Sequence, residues 1–144
     1  SGTCGAIFEA VLHENVKNAI AFSANFDSFD EIEKNLDTAW SFMEKYNLLQ
    51  KHNLYNVNMP NNVKGISFTN QGYFYFRDNF KEEEKNMFIA QGYDASKSQE
   101  DLTMDLEAVL FRNLISISPL TIERTERNVY ETFKGVYNLE GEKL

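Results

Sequence analysis

The sequence is poor in cysteine, with only Cys4 among its 144 residues. One cysteine cannot form an intrachain disulfide, so a disulfide-stapled fold is excluded and a reducing compartment suits the chain better than a secreted one. No apolar run comes near the ~18 residues that span a bilayer, and the first residues lack the basic-then-apolar order of a signal peptide. We therefore predict a cytoplasmic protein without a membrane segment.

Positive charge is also scarce. The chain has 14 Lys and Arg against 22 Asp and Glu, a formal net charge of -8. A nucleic-acid backbone or an anionic membrane would need a compensating basic stripe, and the sequence contains none. A small anion remains possible, because a few backbone N–H groups and one cation can bind a phosphate whatever the net charge. The balance excludes polyanionic partners and leaves nucleotides open.

Apolar residues, by contrast, are plentiful. Hydrophobic residues make up 42% of the chain and aromatic residues 14%, which is more than a disordered chain carries. The length suffices for one core and argues against two. No internal repeat, low-complexity block or linker divides the sequence. We expect one domain over residues 1–144.

Hydrophobic periodicity predicts alternating helices and strands in the first half of the chain. Apolar residues at three- and four-residue spacing predict helices over 3–15 and 28–50, the second opened by a Ser28–Glu31 capping box. The short apolar run AIAFSA, at 19–24, is typical of a strand buried on both faces. NLYNVNMP and VKGISFTN, at 53–60 and 63–70, read as further strands. The pattern indicates an α/β fold with a helix-covered sheet.

The second half begins with a predicted hairpin. Two aromatic-rich strands, 71–80 and 85–92, flank the charged KEEEK, which we interpret as a solvated tip that discourages edge pairing. Aromatic side chains would lie on both faces of this hairpin, so one aromatic face would be exposed to solvent. We expect a partner chain to cover it. The predicted interface residues are Tyr73, Phe74, Tyr75, Phe76 and Phe88.

The remaining segments are predicted as a helix, a strand and a final helix. DLEAVLFRN, at 105–113, has helical spacing, and LISISPL, at 114–120, reads as a strand ended by a proline. The last helix is predicted from Thr121 onward. Its apolar side would carry Val129, Phe133, Val136 and Tyr137.

Five strings in this order resemble the SurE family of stationary-phase survival nucleotidases. SGTCGAIFEA is similar to the family's SGTVGAAREA, and NLYNVNMP to its LLNVNVP strand. KGISFTNQGYFYFRD resembles KGVRVTRLGRRRYRD, with Lys64-Gly65, Thr69, Gly72 and Arg77-Asp78 at the same spacing. MFIAQG and LISISPL correspond to the family's YWLGG-like and GYVSVTPL strands. Each match alone is weak, but together they cover nearly the whole chain.

The resemblance implies a Rossmann-like three-layer α/β fold with a mixed sheet, a protruding β-hairpin and a C-terminal helix. It also implies hydrolysis of nucleoside monophosphates with a divalent metal, Mg or Mn, in a homodimer or homotetramer assembled through the hairpin and the last helix. The family's metal ligands, two aspartates of an NDDG motif with a Ser and an Asn, precede its SGT motif. None of them maps onto this sequence, which starts at that motif. We therefore expect an N-terminally truncated SurE-like domain without its metal-binding half.

The family's phosphate-binding turn maps onto Ser1, Gly2 and Thr3. A helix N-terminus offers unpaired N–H groups and positive potential, which suit a phosphate oxygen. By pattern alone, Thr3 as a simple N-cap is the commoner explanation, and the resemblance reverses that preference. Cys4 takes an apolar position of this helix and is interpreted as a core side chain, not a nucleophile.

Other chemically able residues have simpler interpretations. Asp27, Asp30 and Glu31 fall in the first turn of a predicted helix, where acids are favoured by the dipole. His13 and His52 have no carboxylate or cysteine at ligand spacing, and we interpret both as surface residues. In the resemblance, Asp105 and the 93–103 loop approach the active site.

Three functional hypotheses therefore remain open. The first is part of a nucleotidase that is inactive as an isolated chain. The second is a non-catalytic oligomerisation remnant, and the third an unrelated α/β binding module. An in-frame NDDG-containing stretch upstream would favour the first over the second.

Overall fold

A four-stranded mixed sheet forms the centre of the fold. The computed structural model describes residues 2–13, 16–25, 29–72, 76–95, 97–98, 100–101 and 103–134. The sheet contains β1 (Ala19–Ala24), β2 (Leu54–Met59), β3 (Gly65–Phe68) and β8 (Leu114–Pro119), in the order β1-β2-β8-β3. β1 and β2 are parallel, β8 is antiparallel to β2, and β3 is parallel to β8. The predicted mixed sheet is confirmed.

Helices cover both faces of this sheet. Helices α2 (Phe29–Lys45) and α3 (Leu48–Lys51) bury Ala39, Met43 and Leu48 against one face. The sheet contributes odd-numbered apolar residues to that core, since side chains alternate along a strand: Tyr55, Val57, Met59, Ile115 and Ile117. Helix α1 (Gly2–Leu12) packs Cys4 and Ile7 on the other face with Ala21, Leu54 and Leu120. The arrangement is the predicted three-layer α/β fold, and Cys4 is the core side chain that its spacing predicted.

The single helix predicted over 28–50 is wrong in its last turn. The structure ends α2 at Lys45 and starts α3 at Leu48. Between them Asn47 adopts a left-handed conformation with φ 52°, which Asn tolerates better than most residues because its short polar side chain bonds locally. The break redirects the chain so that Leu48 is buried in the core. Ser28 of the predicted capping box lies outside the described residues.

The hairpin is present, but its tip was placed wrongly. Strands β5 (Phe80–Glu84) and β6 (Met87–Ala90) pair around a turn at Lys85–Asn86, and β4 (Phe76–Arg77) pairs with β7 (Tyr93–Asp94) farther from the turn. Asn86 has φ 66°, as tight two-residue hairpin turns require. Its N–H donates to Glu82 Oε1 at 2.8 Å. The acidic run therefore belongs to a strand, and Glu82 lies opposite Phe88.

The C-terminal part differs from prediction in its helices. The predicted strand after residue 113 is confirmed as β8. The helix before it contains a π-helical stretch, Glu107–Phe111, an uncommon form that is frequent at functional sites. The last helix begins at Arg127, not at Thr121, and ends at Phe133 as α4. Thr121 Oγ1 accepts from Glu123 N at 3.0 Å, a local bond that competes with helix formation. Val136 and Tyr137 lie outside the described residues.

The Tyr55 side chain links strand β2 to helix α3. We predict that Tyr55→Phe lowers the free energy of unfolding by about 1 kcal/mol. The buried Tyr55 hydroxyl donates to the Leu48 carbonyl at 2.8 Å. Burial raises the pKa of this hydroxyl above its ordinary value of 10.0. The folded state therefore favours the neutral hydroxyl. Its contribution to the free energy of unfolding is fully present below the ordinary pKa of 10.0 and is lost as pH rises through the higher pKa of the folded state.

Urea unfolding of both proteins between pH 7 and 11 measures the two effects. The wild type should lose stability at alkaline pH more steeply than Tyr55→Phe. Equal slopes for the two proteins would show that Tyr55 does not carry the alkaline dependence.

Candidate functional site

The first turn of α1 is the part of the predicted phosphate site that the structure describes. Gly2 and Thr3 are exposed, and a Cβ built on Gly2 or Gly5 meets no atom within 4 Å. The first turn contains no acidic residue, so no carboxylate of the helix itself opposes an anion there. Ser1 lies outside the described residues. The turn is thus open to solvent and electrostatically suited to a phosphate.

The segment 69–72 lies beside this turn. Gln71 Nε2 is 3.9 Å from Cys4 Sγ, across 67 residues of sequence. The segment continues β3, and Thr69 N donates to Ile117 O at 2.9 Å, as in a parallel ladder. Thr69 Oγ1 also bonds to Ser116 Oγ at 2.7 Å and Ser118 Oγ at 2.8 Å, and all three hydroxyls are buried. The segment is therefore fixed to the sheet immediately before it reaches α1.

Asp105 fixes the other end of the same segment. Its Oδ1 accepts from Gly72 N at 2.6 Å and from Leu106 N at 2.8 Å. Backbone bonds to Thr103 and Asp105 hold Asn70 between these anchors. Asp105 is 8% exposed, so the two N–H bonds stabilise its carboxylate away from bulk water. The resemblance implies that Asp105 lies near the active site, and the structure places it against the segment that contacts α1.

Glu107 is a buried carboxylate that sequence analysis missed. It is 3% exposed, and both of its oxygens accept from Ser98 Oγ at 2.9 Å. Arg112 Nε donates to Glu107 Oε1 at 2.9 Å, which supplies the opposite charge that a buried carboxylate needs. The signal in the sequence for a buried carboxylate was an acidic residue inside the apolar run of DLEAVLFRN. Its contacts attach residue 98 of the 93–103 loop to the π-helix.

The same loop is stabilised by a local acid at its far end. Asp101 Oδ1 accepts from Thr103 N at 2.9 Å and from Thr103 Oγ1 at 2.7 Å. The hydroxyl and backbone hydrogen bonds from Thr103 lower the pKa of this carboxyl below its ordinary range. Asp101 is exposed, and both of these hydrogen bonds go to Thr103, not to Asp105 or Glu107. Its role is to shape the turn that delivers Thr103 to Asn70.

The acidic and histidine residues considered in the sequence do not gather into a metal site. Among the described residues, no three His, Cys, Asp or Glu side chains are placed to hold one ion. Asp30 and Glu31 lie in the first turn of α2, as predicted, while Asp27 is outside the described residues. His13 is exposed beside Glu9. His52 is not a plain surface residue, because it is half-buried and Nε2 bonds to Leu120 O at 2.5 Å.

Only part of the predicted oligomer interface can be located. Phe88 is 61% exposed on β6, and Tyr73, Phe74 and Tyr75 lie outside the described residues. Phe76 is described only as backbone in β4. Other exposed apolar side chains lie on the same strands, namely Phe80, Met87, Ile89 and Tyr93. In the described part of the chain, no helix is long and apolar enough to cross a membrane.

Comparison with known proteins identifies a matching family and a similar solved structure. The family described as "Survival protein SurE" matches residues 1–78. The fold is similar to the crystal structure of the SurE protein from Aquifex aeolicus, with a TM-score of 0.63 and 22% sequence identity. That match covers 93% of this chain and 56% of the Aquifex chain, so this chain spans little more than half of its structural relative. A comparison with curated proteins gave no match.

Two glycines near the site should respond oppositely to alanine. A Cβ on Gly72 would lie 2.7 Å from Asp105 Oδ1 and 3.2 Å from Leu106 Cδ1, so Gly72→Ala must displace the carboxylate that holds the segment. We predict a loss of about 1–3 kcal/mol of stability. Gly5→Ala meets no atom within 4 Å and removes a helix-interior glycine, so it should gain about 0.5–1 kcal/mol. Urea denaturation measures both, and a neutral Gly72→Ala would refute the close packing of Gly72 on Asp105.

Proposed function

Because this chain belongs to the SurE family, we propose that it forms part of a metal-dependent phosphomonoesterase that hydrolyses nucleoside monophosphates. The family match over residues 1–78 is the observation that carries the proposal. The open first turn of α1 supports it, because that turn is where the family's phosphate loop maps. The net charge of -8 also suits a small anionic substrate better than a polyanion.

In this proposal Ser1, Gly2 and Thr3 bind the phosphate. Backbone N–H groups of the first turn and the Thr3 hydroxyl donate to phosphate oxygens, and the helix dipole favours the negative charge. The segment 69–72 contacts this turn from the side, where Gln71 Nε2 lies 3.9 Å from Cys4 Sγ. These residues orient the phosphate, and orientation of the reacting group is itself a large part of catalysis.

Hydrolysis requires a divalent metal, Mg or Mn, which supplies polarisation of the phosphoryl oxygens and a water of lowered pKa. The described residues provide no cluster that fits this ion. In the family its ligands precede the SGT motif. We therefore propose that the metal is bound by residues outside these 144, and that the 144-residue chain alone is inactive.

We also propose that the chain assembles as a homodimer or homotetramer through the hairpin and α4. The specific support is the exposure of large apolar side chains on both elements. Phe80, Met87 and Phe88 are 60–64% exposed on the hairpin, and Val129 and Phe133 are 57% and 61% exposed on α4. Large apolar side chains exposed in this number on two elements suit a surface that a partner chain covers. If the chain has no catalytic role, this assembly is the alternative function.

The catalytic proposal predicts two activities for two lengths of chain. The 144-residue chain should show no turnover of adenosine 5′-monophosphate with added Mg or Mn. A protein that includes an upstream NDDG-containing half should release phosphate in a metal-dependent reaction, and Thr3→Ala should lower its kcat/KM about tenfold or more by removing one donor to the phosphate. Leu12→Ala, at the other end of α1, is the matched control. Robust metal-dependent turnover by the short chain would contradict the proposed division of the site.

The assembly proposal predicts a change of mass. Phe88→Ser should shift the protein toward a smaller species in light scattering coupled to gel filtration, because it removes an apolar anchor from the interface. Leu12→Ser changes a residue of similar exposure on α1, 64% against 61%, and should leave the mass unchanged. A monomeric wild type would count against the interface.

A further inference from the structure

The outer side of α2 is exposed to solvent, whereas the opposite side of this helix packs on the sheet. Four exposed residues follow one another along the outer side at three- and four-residue spacing: Glu33, Asp37, Trp40 and Glu44. This spacing places their side chains along one strip of the helix surface. We call these four residues the outer strip. It combines three acids with Trp40, the single tryptophan of the chain.

A groove of about 330 Å³ opens beside Trp40, where α2 ends and α3 begins. Its lining has three apolar and three polar residues, namely Trp40, Met43, Leu49, Glu44, Asn47 and Gln50. Asn47, whose left-handed backbone separates the two helices, is thus part of the wall. A space of this size falls at the small end of protein ligand pockets and accepts a single large side chain. The groove continues the outer strip at its C-terminal end.

The indole ring of Trp40 is open to a partner. It is 40% exposed, and among the residues that the structure describes no aromatic ring or cation lies against it. The adjacent Lys45 lies over the Tyr46 ring instead, with Nζ 5.4 Å from the ring centroid. Tryptophan is highly buried on average, and it is enriched among the residues that carry binding energy at interfaces. The exposed indole therefore indicates a contact surface.

The charge along this surface is negative. The groove and a second groove along α2 are lined by four acids and one lysine: Asp30, Glu33, Asp37, Glu44 and Lys34. None of the four acids forms an ion pair with a residue in the described ranges. Acids four residues apart on a helix, such as Glu33 and Asp37, repel each other, and a cationic partner relieves that repulsion. The surface is therefore complementary to a basic partner.

We infer that the outer strip and its groove bind a basic amphipathic helix of another protein. An apolar side chain of that helix enters the groove beside Trp40 and Leu49, and its Lys and Arg side chains pair with the acids of the strip. An arginine over the exposed indole adds a cation–π contact. This is the helix-in-groove mode of recognition, in which anchors three and four residues apart face the groove.

A second copy of this chain suits the surface less well. Its exposed hairpin carries the acidic run Glu82–Glu84, which the acids of the outer strip would repel. At α4 the basic residues already have partners: Arg127 pairs with Glu123, and Lys134 pairs with Glu131. With a net charge of -8, the chain attracts a basic partner more strongly than another copy of itself.

The single tryptophan makes a direct test possible, because the intrinsic tryptophan fluorescence of the chain comes from this groove alone. The probe is a synthetic helical peptide of about 18 residues, with leucine along one face and lysine and arginine along the other. It should shift the Trp40 emission saturably to shorter wavelength, and its binding should weaken as salt is added. Two control peptides, one with the leucines scattered and one with glutamate for every basic residue, should bind about tenfold more weakly or less.

Matched variants separate the strip from general attraction of cations. Glu33→Gln/Asp37→Asn should weaken binding of the fluorescently labelled peptide about fivefold at low salt, because two ion pairs are lost. Glu9→Gln/Asp78→Asn removes the same two charges from exposed sites outside α2 and should leave the affinity unchanged. Trp40→Ala, followed by the anisotropy of the labelled peptide, should weaken binding about tenfold. Circular dichroism checks that each variant is folded.

Three outcomes overturn the inference. The first is a Trp40 emission that the basic peptide does not change in the wild type, a measurement that needs no variant. The second is equal weakening by the two double variants, which would show unspecific attraction to a chain of net charge -8. The third is a smaller mass for Trp40→Ala than for the wild type in light scattering, which would assign the groove to a second copy.

The inference is independent of the proposed phosphatase. Helix α2 packs on the face of the sheet opposite α1, so the outer strip and the first turn of α1 are on different sides of the molecule. A longer protein that hydrolyses no nucleotide would refute the phosphatase and leave peptide binding at α2 intact. Hydrolysis in a protein that does not bind the peptide would do the reverse.

Discussion

Strand β8 lies between β2 and β3, and the rest of the structure depends on its backbone hydrogen bonds. The residues Ile115 to Ser118 are 0% exposed, the most deeply buried stretch of the described chain. β8 pairs antiparallel with β2 on one side and parallel with β3 on the other, and its paired residues are 49 to 64 positions away in the sequence, from Gly65↔Leu114 to Tyr55↔Pro119. Without it, β3 would have no neighbour and the α2 core would lose Ile115 and Ile117. The insertion also creates the mixed sheet on which both helix layers pack.

The two faces of β8 make different kinds of contact. Its isoleucines fill the α2 core, whereas Ser116 and Ser118 bond to Thr69 on the α1 side. That polar face anchors segment 69–72, and Asp105 anchors it again through Gly72. The result is a segment with hydrogen bonds at both ends, and its Gln71 contacts Cys4 in the first turn of α1. Buried polar networks of this kind specify one arrangement when every member is satisfied.

The proposed chemistry follows from that arrangement and from what the chain leaves to other residues. The proposed phosphate subsite at α1 needs donors, and the turn and Thr3 provide neutral ones. A metal needs several ligands in one place, and no three described His, Cys, Asp or Glu side chains are so placed. The two buried carboxylates have other partners: Asp105 holds a loop and Glu107 pairs with Arg112. In this proposal the chain, with a net charge of -8, contributes the phosphate donors and other residues contribute the metal ligands.

The sequence by itself determined the elements, their order and the family. β1 was predicted to the residue, and Cys4 was placed in the core, because both follow from local periodicity and burial. Tertiary structure decided the rest. The break at Asn47, the tip at Asn86 and the late start of α4 depend on single backbone conformations that no periodicity encodes. The burial of Asn56, Asp105 and Glu107 depends on strands and loops that are distant in sequence, and only the folded chain brings their neighbours together.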